Sequence, residues 1–155
     1  MKGNEAIIVK LNDLLADELT AVSQYMVHSE MCENWGYEKL GGAIQKRAVD
    51  EMRHAEKLIA RILFLEGRPV VSDLKKISIG PEVPAMHQND WTAEEGAVKA
   101  YNEGMRLCAE VGDNGSRDLL QSILKDEELH IDWLEVQLDQ IKQMGVQIYL
   151  SEQVG

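Results

Sequence analysis

Two short stretches, Asp50-Glu51-Met52-Arg53-His54 and Asp126-Glu127-Glu128-Leu129-His130, restrict the fold more than any other feature of this chain. Each contains Glu-x-x-His, and positions i and i+3 share one face of a helix, so each stretch aims a carboxylate and an imidazole at a single point. The two glutamates lie 76 residues apart (127 minus 51) in segments with helical periodicity. Both fall in the stripe where a bundle helix should carry apolar side chains.

The rest of the chain reads as helices around these two. Residues 5 to about 34 place Leu11, Leu15, Val22, Tyr25 and Ser29 on one stripe, with Glu18 among them, and Trp35-Gly36 marks a stop. A second helix runs to about Glu66 through Leu40, Ile44, Ala48, Ala55, Leu58, Ile62 and Leu65. From Gly67-Arg68-Pro69 to Glu82 no helical period persists, which predicts one long crossover. A connection of that length lets the third helix run parallel to the second.

Glu82-Val83-Pro84 predicts the start of the third helix, since proline suits a first turn. Thr92-Ala93-Glu94-Glu95 offers a capping-box alternative, but only the earlier start puts Glu94 in mid-helix, facing inward. The seam of this helix, His87, Asp90, Glu94, Ala97, Tyr101, Met105, Cys108 and Val111, is polar near its beginning. Gly112 to Ser116 reads as a turn. A fourth helix, about Ser116 to Met144, follows with Leu120, Ile123, Glu127, His130, Leu134, Leu138 and Ile141. Val146 to Leu150 forms a short fifth helix, expected to serve as an assembly contact because it is too small to cover the bundle.

One seam carboxylate from the first helix, one from the third and the two Glu-x-x-His pairs give Glu18, Glu51, His54, Glu94, Glu127 and His130. Burying so many ionisable groups without compensation costs several kcal/mol for each charge, beyond the stability margin of one domain. Bound cations remove the conflict. Mixed carboxylate and imidazole donors suit iron or manganese, whereas structural zinc prefers thiolate and histidine.

The 155 residues fit a single domain spanning 1–155. A net charge of -11 argues against nucleic-acid binding and favours attraction of cations. Cys32 and Cys108 are too few for a disulfide framework and lack zinc spacing, so both are expected as packed thiols. No N-terminal leader pattern and no bilayer-spanning run is present, which predicts a cytoplasmic protein without membrane contact.

One Glu from each of two helices plus a Glu-x-x-His from each of the other two is the general layout of ferritin-like dinuclear carboxylate bundles, matched here rather than derived. The chain resembles the bacterioferritins over nearly its whole length: Met1-Lys2-Gly3, Glu18-Leu19, Gln24-Tyr25, Asn34-Trp35-Gly36, Asp50-Glu51-Met52 with His54-Ala55, Arg61 to Gly67, and Asp126-Glu127-Glu128 with His130 to Glu135. The resemblance implies an all-α, ferritin-like four-helix bundle with one long crossover between helices 2 and 3 and a short C-terminal fifth helix. It implies a homo-oligomeric shell of about 24 subunits built from dimers. Such a shell acts as a ferroxidase: it oxidises iron(II) with dioxygen or hydrogen peroxide, stores ferric mineral, and a reductant protein serves iron release.

By position, the resemblance makes Glu51 and Glu127 bridges between two iron ions, with Glu18 and His54 completing one and Glu94 and His130 the other. Tyr25, in the stripe of Glu18, either orients a ligating carboxylate or is plain core. Met52 matches the methionine that, from each of two subunits, holds haem b between them, with Leu19, Val22, Met26 and Val49 as pocket lining. A methionine packed at a dimer contact is the alternative, and Met26 stands where an aromatic residue is expected. Lys46 and Arg47 replace the histidine and acid that family members often carry near Asp50, so an accessory iron site on the inner surface is expected to be absent. A rubrerythrin-like di-iron peroxidase, weakened by the lack of rubredoxin-type cysteine pairs, and a non-catalytic haem-binding helical scaffold are the competing readings.

Overall fold

The computed structural model describes residues 1–155 and contains five helices and no strands: α1 (Glu5–Asn34), α2 (Glu38–Phe64), α3 (Val83–Val111), α4 (Asn114–Met144) and α5 (Val146–Ser151). Helix α1 packs on α2 and on α3, while α4 packs on α3, α2 and α5. Each start has a local cause. The Asn4 side chain accepts the Ala6 and Ile7 amides at the head of α1, and Pro84 sits in the first turn of α3. Glu94 therefore lies mid-helix, and Thr92 bonds back to the Gln88 carbonyl instead of opening a helix.

The α3–α4 turn is tighter than the sequence suggests. Gly112 adopts φ 75°, and Asp113 caps α4 by accepting the Ser116 amide, so the helix already begins at Asn114. Arg61 of α2 clamps this corner through Asp113 and Ser116 at 3.0 and 2.9 Å.

Residues 65–82 form the expected crossover, fastened along one face of α1. Backbone amides of Val70, Lys75, Ser78 and Gly80 donate in turn to Asn12, Thr20, Gln24 and His28, at 2.8 to 2.9 Å. Because the ladder climbs α1 in chain order, α3 starts where α1 ends and runs antiparallel to it, hence parallel to α2. Four backbone donors of the extended crossover thus find polar side chains on α1.

Apolar side chains form two clusters. One holds Leu11, Leu14, Leu58, Leu120 and Ile123; the other holds Tyr25, Leu40, Ile44, Met86 and Tyr149. Several seam assignments shift. Val22, Ala97, Met105, Leu138 and Ile141 are only half-buried, Val111 is exposed, and Gln137 takes the inward place read for Leu138. The fifth helix is anchored to its own bundle. Tyr149 is buried, its hydroxyl donates to Gln137 at 2.7 Å and lies 3.0 Å from His87 Nε2, and the Lys39 amide donates to the Gln153 carbonyl. The tail is docked on its own bundle, because one aromatic anchor with a satisfied hydroxyl suffices. No helix is long and apolar enough to cross a membrane.

Candidate metal centre

The six polar seam residues converge midway along the bundle. Glu18, Glu51, His54, Glu94, Glu127 and His130 are all buried, with His130 the most exposed at 7%. One ligand atom each from Glu18, Glu51, His54 and Glu127 falls within 4.8 Å of the others, and the same holds for Glu51, Glu94, Glu127 and His130. Glu51 and Glu127 belong to both groups. Two positions sharing two carboxylates follow from this overlap.

The arrangement has a near two-fold symmetry. His54 Nδ1 lies 2.8 Å from Glu127, 3.5 Å from Glu18 and 3.8 Å from Glu51, while His130 Nδ1 lies 2.9 Å from Glu51, 3.4 Å from Glu94 and 3.9 Å from Glu127. The Tyr25 hydroxyl donates to Glu94 at 2.6 Å and that of Tyr101 to Glu18 at 2.5 Å. On the outer side, His54 Nε2 lies 2.8 Å from Asp126 and His130 Nε2 lies 3.1 Å from Asp50. An offset of 76 residues relates every such pair, Glu18 to Glu94 and Tyr25 to Tyr101 included, and it also carries Gly36 (φ 85°) to Gly112 (φ 75°).

Inward-facing atoms of all six residues lack hydrogen-bond partners: Glu18 Oε2, Glu51 Oε1, Glu94 Oε2, both Glu127 oxygens, and Nδ1 of His54 and His130. Buried polar atoms are nearly always paired, so a convergent unpaired set of this kind has the character of a cation's ligand shell. The donor chemistry, carboxylate oxygen with imidazole nitrogen, fits iron.

The electrostatics express the same crowding. Burial, reinforced by Glu18, Glu94 and Glu127, pushes the Glu51 carboxyl well above its ordinary range, and burial with Glu94 does so for Glu127. Burial also opposes ionisation of Glu94, but the close approach of Glu127 and His130 and the charges of His130 and Arg47 outweigh it and hold that group at about 2. Burial disfavours a charged His54, yet the nearness of the Glu127 and Glu18 carboxylates prevails and raises it to about 11. Carboxylates packed this closely resist being charged together, and a cation among them would relieve that repulsion.

Two openings reach the cluster. A cavity of ≈ 360 Å³ between α1 and α3 leads from Asp13, Asp17 and Lys75 to Glu18, Glu51, Glu94 and Glu127. Lys75 bridges Asp13 and Asp17 at its mouth, at 2.9 and 2.7 Å. On the opposite face, between α2 and α4, a second pocket is lined by Lys46, Asp50, Asp126, His130 and Trp133.

Some sequence-based assignments need correction. Arg47 does not offer a cation to the inner surface: it is 5% exposed, stacked between Tyr25 and Trp133, and paired with Asp90 and Glu94. Asp50 is engaged with His130. Met52 is 40% exposed and lines an apolar depression of ≈ 220 Å³ on the α1–α2 face with Val22, Met26, Ala48 and Val49. Leu19 packs on the core instead. The roles of Asp50 and Asp126 as histidine partners, and of Tyr101, were not read from the sequence. Both aspartates adjoin the Glu-x-x-His glutamates, and that adjacency was the available signal.

A bundle with an α1-following crossover and two overlapping carboxylate–histidine sets at its centre is the architecture of ferritin-like carboxylate proteins. Comparison with known proteins agrees: the model of the ferritin-like domain matches residues 8–144. The chain is 42% identical to a bacterioferritin of Rhodobacter capsulatus (95% of this chain, 91% of the relative) and 44% identical to a bacterial ferritin of Synechocystis sp. over the full length of both. It is 40% identical to a bacterioferritin of Brucella melitensis (96% of this chain, 92% of the relative). This chain belongs to the bacterioferritin family.

Proposed function

We propose that this protein stores iron and oxidises it on the way in, with Glu18, Glu51, His54, Glu94, Glu127 and His130 holding two substrate iron ions per subunit. The observation that carries the reading is the set of unpartnered atoms converging from all six side chains. Bound iron(II) supplies one electron from each ion to dioxygen or hydrogen peroxide. The protein supplies everything else. Its hard carboxylate donors favour the ferric state. The Tyr25 and Tyr101 hydroxyls fix Glu94 and Glu18, and Asp126 and Asp50 turn Nδ1 of each histidine inward. Protons held on Glu51, Glu127 and His54 leave as cations enter.

The α1–α3 cavity, with its acidic mouth, is the route in, and the α2–α4 pocket opens on the other face. The exposed apolar depression around Met52 would be half of a site that a second copy completes; Met52 is the residue that would hold haem iron there, and Val22, Met26 and Val49 supply its apolar lining. The assembly is a cytoplasmic shell of about 24 copies, which elutes near half a megadalton.

Aerobic addition of iron(II) to the native protein and to Glu51→Ala and His54→Ala tests the centre. Native oxidation is expected to be fast and both variants slow. Equal rates in all three exclude the assignment.

A further inference from the structure

The two proposed metal positions have matched ligands but unmatched surroundings. The 76-residue offset that pairs every ligand and both tyrosines carries Leu14 to Asp90 and Arg47 to Ile123. Beyond Glu18 and His54, therefore, lies the apolar cluster containing Leu14 and Ile123. Beyond Glu94 and His130 lies a buried guanidinium.

Arg47 Nη2 stands 3.9 Å from Glu94 Oε1, the oxygen that accepts the Tyr25 hydroxyl and faces His130 Nδ1 at 3.4 Å. The guanidinium carbon sits 4.4 Å from the centre of the Tyr25 ring and 5.2 Å from that of Trp133, which hold it in place. None of its three nitrogens has a hydrogen-bond partner. Glu18, by contrast, has no Lys or Arg within ion-pair distance, only His54. Asp90 offsets part of the charge at 3.6 Å, but it touches none of the six ligands, and its other oxygen is shared by His28 and Gln24.

We infer that Arg47 makes the two positions unequal: it weakens divalent-cation binding between Glu94 and His130, so that the Glu18/His54 position fills first and holds its ion longer. The inference rests on the dinuclear reading of the centre. A fixed positive charge beside one ligand carboxylate draws on the charge that group offers a metal and repels the incoming dication, in surroundings that screen poorly. At the other position, the place of that charge is taken by the side chain of Ile123. Arg47 acts through Glu94 and is a positioning residue. Its consequence is one retained ion and one that exchanges.

Anaerobic titration of the metal-free assembled protein with cobalt(II), followed by calorimetry and visible absorption, tests this. Two binding steps separated by at least about tenfold are expected, given a unit charge a few ångströms from one of two otherwise equal sites. His130→Ala should remove the weaker step and His54→Ala the tighter. Arg47→Met should bring the steps together, while Arg47→Lys preserves their separation. Equal steps in the native protein, the reverse assignment from the histidine variants, or an unchanged separation in folded Arg47→Met overturns the inference and leaves the dinuclear centre standing. Should Arg47→Met fail to fold, the histidine variants still decide. Absence of cobalt binding overturns the dinuclear reading itself.

Discussion

His54 of α2 and Asp126 of α4 meet at 2.8 Å across the bundle, and His130 of α4 and Asp50 of α2 repeat the contact at 3.1 Å. Each aspartate precedes, on its own helix, a glutamate that faces the centre, so the two Glu-x-x-His helices hold each other's histidines. Replacing Asp126 by Asn should lower cation affinity at the His54 position by about 10- to 100-fold and leave the His130 position less affected, with Asp50→Asn doing the reverse. Cobalt titration of both variants checks this. Equal losses at both positions in either variant would contradict the crossed pairing.

Acid should expose the burial of His87. Burial holds this imidazole down at about 4, the charges of Arg47 and His28 assisting and that of Asp90 opposing. An unfolded histidine takes up its proton near pH 6.5, so between pH 6.5 and 4 the unfolded chain binds a proton that the folded chain refuses. Stability contributed by neutral His87 is complete above pH 6.5 and declines as pH falls to 4, by on the order of 3 kcal/mol. His87→Gln should remove that slope. Urea unfolding of the metal-free protein at pH 7.5 and 4.5 measures it, and parallel losses in both proteins would rule out a neutral buried His87.

Two glycines of opposite consequence probe the crossover and α2. A Cβ on Gly80 would lie 2.3 Å from the Met86 backbone nitrogen, while one on Gly42, exposed in α2, meets nothing within 4 Å. Gly80→Ala should destabilise by about 1–3 kcal/mol, as forced overpacking does. Gly42→Ala should stabilise by about 0.5–1 kcal/mol through helix propensity. Thermal melts of the two variants decide, and a neutral Gly80→Ala would mean the crossover can move away from α3.

Two thioethers, Met52 and Met26, lie half-exposed in the same depression. Haem supplementation should give a Soret band that Met52→Leu loses and Met26→Leu keeps. The opposite pattern would transfer the axial role to Met26.

Glu18, Glu51, His54, Glu94, Glu127 and His130 could be singled out in the sequence because they stand in, or for His54 at the edge of, otherwise apolar helical stripes; their proposed role as ligands rests on the resemblance and not on phase alone. Arg47 lies four residues before Glu51 and shares its face, yet a cation next to Lys46 reads as surface, since nothing local announces the Tyr25 and Trp133 rings that shelter it. The inward choice of Gln137 over Leu138 depended on Tyr149, twelve residues beyond Gln137 on a tail too short to have a period. Contacts made across the bundle, such as Tyr101 with Glu18, need the register between helices, and that is set by the crossover ladder on α1.

The 76-residue offset also relates Cys32 to Cys108. Both thiols are buried, one beside Leu40 and Ile44, the other beside Leu11 and Leu120, and burial raises both, Cys32 to about 11. A thiol reagent reaches either sulfur only when its own end of the molecule breathes. The chain thus carries two native clocks, one at each end, whose labelling rates separate loosening near α5 from loosening near the α3–α4 corner without any engineered label.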